Sequence, residues 1–369
     1  MNIGILIPGF GASEEDWALP VYQNFVRELA KTHDVRVIAL RYPHTRESYT
    51  YHNATVYPLG WGVWTRGMNR FRLWWDTYRI VKRLHNEKPF DILHGIWADE
   101  TGALSGWIGN HLDISSVVSI AGGELVGFPD ISYGLQISRY GRWVVNQALK
   151  HNTHIVYPSN MSIPNIKEIL GENSSKIYLG NNYDTMHPLR GEPKPNHLIH
   201  VGSLIPVKNQ HLLLDTMHQL PNNITLDIVG EGVLEEELKV YAQKLGISDR
   251  VNFLGRIPHT ELFKHYSQAE LNIITSRHES YCMAILEAGI CGTPTVGTRV
   301  GIMTENWVKA FTRNGDTANE LATQIMTFLE SHHREKWMQI AYGYDHVRKY
   351  MDISTMTIKY TDLYQNLLN

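Results

Sequence analysis

Two carboxylates eight positions apart, Glu279 and Glu287, mark the stretch of this sequence best suited to chemistry. The stretch runs from Ser276 to Thr298, SRHESYCMAILEAGICGTPTVGT. An extended run, Leu271 to Ser276, leads into it, and a helix-like segment opens at about Tyr281. Cys291-Gly292-Thr293 then introduces the next strand-like run, Pro294 to Gly297. A strand that feeds a helix through a short loop turns unpaired N–H groups and the positive end of the helix dipole toward that loop. Such a loop is a standing anion site. Carboxylates beside it cannot hold phosphate themselves. They suit hydroxyl donors instead, such as those of a ribose and a sugar. The competing reading is a buried amphipathic helix with an incidental Glu at each end.

The elements that must position these residues alternate along the chain. Strand-like runs are Ile3 to Ile7, Val35 to Leu40, Phe90 to His94, Ser116 to Ile120, His154 to Tyr157 and Ile177 to Leu179. Asp16 to Lys31 reads as a helix with Trp17, Val21, Phe25 and Leu29 on one face. Arg70 to Leu84 reads as another, with Phe71, Trp74, Tyr78 and Val81 inward. The alternation restarts with strands His197 to Val201, Ile224 to Val229 and Val251 to Leu254, separated by helices Gln210 to Leu220 and Val233 to Leu245. Repeated β–α alternation implies parallel sheets covered on both faces, so two doubly wound domains. Arg190 to Asn196, RGEPKPN, is the best linker. The expected domains are residues 1–190, 191–352 and a terminal helix within 353–369. Ligands of such sheets sit at the carboxyl ends of the strands, and a cleft between two such domains is the natural place for a site.

Composition narrows the classes. A chain of 369 residues exceeds a typical single core. A formal net charge of −3 gives no reason to invoke nucleic acid. Two cysteines, Cys282 and Cys291, offer no disulfide framework and suggest a reducing compartment. The N-terminus, MNIGILIPGFG, lacks the basic start of a signal peptide and reads as a strand. No apolar run is long enough to span a bilayer.

The string from Glu279 to Glu287, with LEAGICGTP before a strand, resembles the Glu-x7-Glu segment of retaining GT-B glycosyltransferases of the family-four type. The resemblance implies that Glu279 contacts the transferred sugar and Glu287 holds the nucleotide ribose. It implies an α/β GT-B fold, two doubly wound Rossmann-like domains facing a central cleft, with the acceptor on the first and the nucleotide-sugar on the second. His200 to Asn209 resembles that family's first strand and loop of the nucleotide domain. Lys208 matches a diphosphate-binding Lys, while Ser203 stands where an Arg is usual. A solvated loop lysine is the alternative for Lys208. Phe253 to Pro258 resembles the segment whose backbone reads the base, which brings in Arg256 and Ile257. The usual Gly-Phe-Gly appears as Ser280-Tyr281-Cys282, so Tyr281, Cys282 and Met283 are expected at the donor phosphates. Gly230 belongs to a Gly-x-Gly turn, and Gly301 and Glu305 match a later loop.

In the first half, Gly11 matches a glycine-rich turn beside donor and acceptor. Ser119 to Glu124 resembles an acceptor-side segment, which brings in Gly122 and Glu124, with Ala121 in place of a His. His94 matches a strand-end His but receives no role. There is no Asp-x-Asp and no convincing ligand cluster, so the expected chemistry uses no metal and no cofactor beyond a UDP- or GDP-sugar substrate. Glu279 and Lys208 are the expected catalytic residues. The acceptor would be a glycan, a lipid-linked molecule or a small molecule, and the location cytoplasmic. A nucleotide-sugar 2-epimerase on the same fold and a non-catalytic sugar-nucleotide-binding subunit, the latter suggested by Ala121 and Ser203, are the alternatives. Finally, Trp61 to Arg83 is rich in Trp and Arg. It reads either as a peripheral membrane contact or as a helix with an apolar core face and a basic solvent face.

Overall fold

The computed structural model describes residues 1–13, 16, 19–62, 67–161, 163, 165–182 and 193–369. Trp17, Trp64, Arg66, Tyr183, Asp184 and the first half of the expected linker, 190–192, lie outside them. The chain forms two compact units. One comprises Met1–Pro158, Asn165–Asn181 and Ile353–Asn369, and the other Ser159–Pro164 and Asn182–Asp352. Both are α/β with a Rossmann-like, predominantly parallel sheet.

The first unit carries β1 (Asn2–Gly9), α1 (Pro20–Leu29), β2 (Asp34–Tyr42), β3 (Tyr49–Tyr51), β4 (Ala54–Pro58) and α2 (Met68–Glu87). Then come β5 (Ile92–Ile96), α3 (Glu100–Leu112), β6 (Ser115–Ser119), α4 (Arg139–His151), β7 (His154–Tyr157), α5 (Ile166–Leu170) and β8 (Ser174–Lys176). The strand order is β3-β4-β2-β1-β5-β6-β7-β8. Among the described strands, only β3 runs antiparallel to its neighbour. Central β1 is buried on both faces, with Ile3, Ile5, Leu6 and Ile7 inaccessible or nearly so, which is why it reads as an unbroken apolar run rather than an alternating one.

Three local expectations change. Helix α1 opens at Pro20, where the missing N–H costs nothing. Asp16 lies ahead of the helix and accepts from Ala12 N–H (2.8 Å) and Tyr42 O–H (2.6 Å). The pairing strand near residue 177 is Ser174–Lys176. Ile177 and Leu179 are buried just beyond it, so burial rather than strand pairing produced the apolar signal. Helix α2 buries Leu73, Thr77, Val81 and Leu84, while Phe71, expected inward, is 73% exposed. Aromatics at helical spacing mark two faces here, and Trp74 and Tyr78 pack against the core from its edge.

The second unit carries β9 (His197–Val201), α6 (Gln210–Gln219), β10 (Thr225–Val229), α7 (Glu235–Lys244), β11 (Val251–Gly255), α8 (His259–Gln268) and β12 (Leu271–Ile274). It continues with α9 (Met283–Ile290), β13 (Thr295–Gly297), β14 (Thr312–Asn314), α10 (Ala318–Leu329) and α11 (His333–Tyr350). Its sheet is parallel throughout, in the order β11-β10-β9-β12-β13-β14. Strand order reverses between β9 and β12, the topological switch point where open α/β sheets receive ligands. The last helix, α12 (Ile353–Leu368), belongs to the first unit. Tyr360 packs on Phe25 of α1 with ring centroids 4.8 Å apart.

Candidate active site

The switch point of the second unit brings Lys208 and Glu279 together. Lys208 ends a short 3-10 turn, Pro206–Lys208, in the loop that leaves β9. Glu279 lies in the loop that leaves β12 and leads to α9. Backbone bonds hold the two loops in register. Arg277 N–H donates to Val207 O (2.8 Å), and Thr275 Oγ1 donates to Lys208 O (3.1 Å). Lys208 Nζ then donates to Glu279 Oε1 at 2.5 Å, and Ser276 Oγ donates to the same oxygen at 2.7 Å. The side chains are 23% and 13% exposed. Partial burial strengthens this attraction relative to a surface pair.

Helix α9 starts beside this pair. Its N-cap, Cys282, takes φ 76° and ψ 77°, a left-handed conformation that glycine adopts without steric cost. The cysteine closes the triplet Ser280-Tyr281-Cys282, and its Cβ bears the cost of that conformation. Burial pushes the Cys282 thiol well above its ordinary range, with the Glu279 charge a smaller contributor, so it is no nucleophile at neutral pH. The first-turn amides, from Met283 onward, face out of the helix N-terminus. Tyr281 is 2% exposed, with its hydroxyl on Met351 Sδ and its carbonyl accepting from Ile302 N–H (2.8 Å). Its ring is core, so only its backbone can face a ligand.

Glu287 sits in the body of α9 and is 8% exposed. Oε1 lies 3.0 Å from His259 Nε2, and Oε2 accepts a long 3.4 Å bond from Tyr266 O–H. His259 opens α8 directly after Pro258. It is a partner that sequence reading missed, since nothing in a lone His after a proline singles it out. Ser203 is exposed, and its carbonyl accepts from Gln210 Nε2 at 2.9 Å. Arg256 is 70% exposed and stands 3.8 Å from Glu231, while Ile257 is half-buried. Neighbouring strand ends are stitched together by Gly202 N–H to Val229 O (3.0 Å) and Gly230 N–H to Gly255 O (2.8 Å). Gly230 has φ 134°, and a Cβ there would lie 2.1 Å from Gly202 O, so no other residue fits.

In the first unit, Gly11 follows β1. A Cβ on it would lie 1.9 Å from Gln23 Nε2, and its carbonyl accepts from Tyr49 O–H at 2.5 Å. Glu124, which the resemblance places in an acceptor-side segment, is 1% exposed. Oε1 accepts from Ala98 N–H (3.2 Å) and Ala121 N–H (2.9 Å), and Oε2 from Gly122 N–H (2.6 Å). Burial pushes its carboxyl up, and those amides oppose the shift. The side chain is thus spent on its own loop. It shapes Gly122 rather than presenting a carboxylate, because a buried acid is tolerated only when its oxygens are satisfied. His94, given no role above, is fully buried and bonded to Ser119 Oγ and Tyr364 O–H, each at 2.7 Å. Among the described residues, no three His, Cys, Asp or Glu side chains converge as a metal would need, and no helix is long and apolar enough to cross a membrane.

Comparison with known proteins gives this geometry its context. Residues 184–344 match the family of glycosyl transferases group 1. Residues 20–171 match the glycosyl transferase 4-like domain. An uncharacterized glycosyltransferase of Methanocaldococcus jannaschii is 23% identical over 71% of this chain and 72% of its own length. A D-inositol 3-phosphate glycosyltransferase of Segniliparus rotundus is 32% identical, but over 30% of this chain and 26% of its own. Among solved structures, sucrose-phosphate synthase of Thermosynechococcus elongatus covers 100% of this chain and 99% of its own, with a TM-score of 0.79 and 18% identity. Anabaena HepE in complex with UDP-glucose covers 98% and 99%, with a TM-score of 0.73 and 17% identity. The two family models together span most of the sequence, a glycosyl transferase 4-like match followed by a glycosyl transferases group 1 match, and the fold is that of the GT-B glycosyltransferases along its length.

Proposed function

We propose that this chain is a retaining, metal-independent glycosyltransferase that moves a sugar from a UDP- or GDP-sugar to an acceptor hydroxyl. The contact between Lys208 and Glu279 at the start of α9 carries the reading. A cation and a helix N-terminus at one spot suit a leaving diphosphate, whose charge grows as the bond to the sugar breaks. Glu279 would turn from Lys208 to a sugar hydroxyl once phosphate takes the ammonium. Glu287 would hold the ribose, oriented by His259. Among the described residues around this pair, no side chain is set up as a nucleophile. In the proposed reaction, the bond from the anomeric carbon to phosphate oxygen breaks as the bond to the acceptor oxygen forms on the same face. The acceptor proton passes to the leaving diphosphate. The UDP-glucose complex of HepE, a protein of the same fold, is consistent with a nucleotide-sugar donor. The acceptor would be a glycan, a lipid-linked molecule or a small molecule. We place the chain in the cytoplasm, with peripheral access to the inner face of a membrane.

A thermal-shift series with nucleoside diphosphates tests the donor side, since a ligand bound only by the folded state raises the midpoint. UDP or GDP should raise it, and a flat response to every nucleotide would sink the reading. Glu287→Ala should weaken that binding by about 1–3 kcal/mol, the cost of losing a charged hydrogen-bond partner. Unchanged affinity in calorimetry would remove Glu287 from the ribose. Turnover, including slow donor hydrolysis without acceptor, should persist in excess EDTA. Loss restored by manganese or magnesium would overturn the metal-independent chemistry.

A further inference from the structure

Helix α2 has a face that the core does not use. Met68, Phe71 and Trp75, at i, i+3 and i+7, are 72%, 73% and 57% exposed. They lie along one side of the helix, away from Leu73, Thr77, Val81 and Leu84. Neighbouring α4 extends the patch. Its Trp143 is 47% exposed and stacks on Trp74 of α2, with centroids 5.9 Å apart and planes 25° apart. Singly exposed apolar residues need no explanation, but large ones gathered on one face mark a contact surface.

Charge decides what that contact is. Further along the same exposed stripe stand Arg72, Arg79, Lys82 and Arg83. From Met68 to Glu87 the helix has two carboxylates, Asp76 and Glu87, the latter 3.7 Å from Arg83, against five Arg and Lys, and α4 has none while carrying Arg139, Arg142 and Lys150. An open groove of about 980 Å³ runs beside α2, with Arg46, Arg79, Lys82 and Arg83 on its walls against the two carboxylates Glu47 and Asp76. An apolar tip beside a cationic stripe fits an interface that is apolar at depth and anionic at its surface. Aromatics enter the boundary between headgroups and acyl chains while long cationic side chains reach the phosphates. A protein partner would need acidic groups matched to dispersed cations, whereas on both helices Arg and Lys outnumber Asp and Glu, five to two on α2 and three to none on α4.

We propose that the outer face of α2, with Trp143 of α4, docks on an anionic lipid surface. The Met68–Phe71–Trp75 tip inserts, and Arg72, Arg79, Lys82 and Arg83 meet lipid phosphates. This deepens the peripheral membrane contact proposed above, and it requires neither donor nor turnover. The face lies on the unit that carries the acceptor-side loop, so docking would favour acceptors presented at a membrane.

Co-sedimentation of the full chain with vesicles, without nucleotide, tests it. Vesicles with a quarter of anionic phosphatidylglycerol in phosphatidylcholine should bind the chain, and pure phosphatidylcholine much more weakly. Each cation near an anionic surface is worth about fivefold in partitioning, and raised salt should weaken binding because these contacts are screened. Arg79→Glu with Arg83→Glu should cost at least tenfold, as should Phe71→Ser with Trp75→Ser. All four positions are exposed, so the fold should survive, and an unchanged thermal midpoint checks this. Equal partitioning into both vesicle types, no binding to either, or variants that bind like wild type would each overturn the proposal. Self-association that depends on Phe71 and Trp75 without lipid would instead assign the face to a second copy of the chain. Because nucleotide binding is read separately, failure here leaves the transferase reading standing, and the reverse also holds.

Discussion

Lys208→Ala should lower turnover by about a hundred- to a thousandfold, the usual cost of removing one preorganised donor to a developing anion. Binding of the uncharged nucleoside portion should change little, because phosphate charge grows mainly in the transition state. The geometry sharpens the test. Lys208 is the cation on Glu279 (2.5 Å), so its loss leaves that carboxylate with Ser276 Oγ at 2.7 Å on the same oxygen. A structural consequence would appear as a lowered thermal midpoint, and a catalytic one as a fall in kcat with the midpoint held. Ser203→Arg in the Lys208→Ala background should recover part of the rate. Ser203 is exposed on the same strand-end loop, and a guanidinium there could bind phosphate in bidentate fashion. Unchanged turnover in Lys208→Ala would mean that this loop does not reach phosphate. If no donor turns over even in the wild type while nucleotide binds, the chain is a binding subunit.

The strands were legible because parallel sheets demand apolar runs on both faces. His197–Val201 and His154–Tyr157 fall where the pattern puts them. Helix α3 shows the limit. GALSGWIGN carries Gly102, Gly106 and Gly109, which argue against a helix on propensity, and its burial on most sides erases the amphipathic stripe. The glycines are there for contact. A Cβ on Gly102 would lie 2.6 Å from Val118 Cγ2, one on Gly106 2.7 Å from the His151 carbonyl carbon, and one on Gly109 2.7 Å from Ile114 O. Tertiary packing thus overrides local preference. At the candidate site, spacing showed Glu279 and Glu287, since both belong to one loop and helix. It could not show that Lys208, from a separate strand end, bonds to Glu279, nor that His259 bonds to Glu287. The first pairing arises where strand order reverses and the second between the start of α8, after the edge strand β11, and α9, and a linear pattern carries no trace of either. Phe71 shows a further limit: residue type and period do not say which side of an element the fold turns inward.

Replacing His94 by Gln should destabilise the first unit by about 1–3 kcal/mol at pH 7, the cost of disturbing the buried bond to the Tyr364 hydroxyl while Ser119 Oγ keeps its bond to the Tyr360 hydroxyl (2.8 Å), and that cost should shrink as the solution is acidified. His94 bonds to Ser119 of β6 and to Tyr364 of α12. Burial holds its pKa down at about 3, against an ordinary 6.5. Above pH 6.5 both folded and unfolded chains leave the imidazole neutral, and its full contribution is present. Below that, the unfolded chain takes a proton that the native site refuses until about pH 3, so stability is lost across that window. From pH 7 to pH 5 the loss is about 2 kcal/mol for one such group. The wild-type slope alone is ambiguous. His200 is also buried, with its pKa lowered to about 4, and acts with the same sign. Asp99, pushed up to about 7 by burial, acts in the opposite sense, gaining stability as the pH falls from 7 toward its ordinary value of 3.8. The difference between wild type and His94→Gln cancels both, so denaturant unfolding of the pair at pH 7 and pH 5 isolates His94. A difference that stays constant across those two pH values would mean that the native imidazole titrates normally and is not locked neutral between Ser119 and Tyr364.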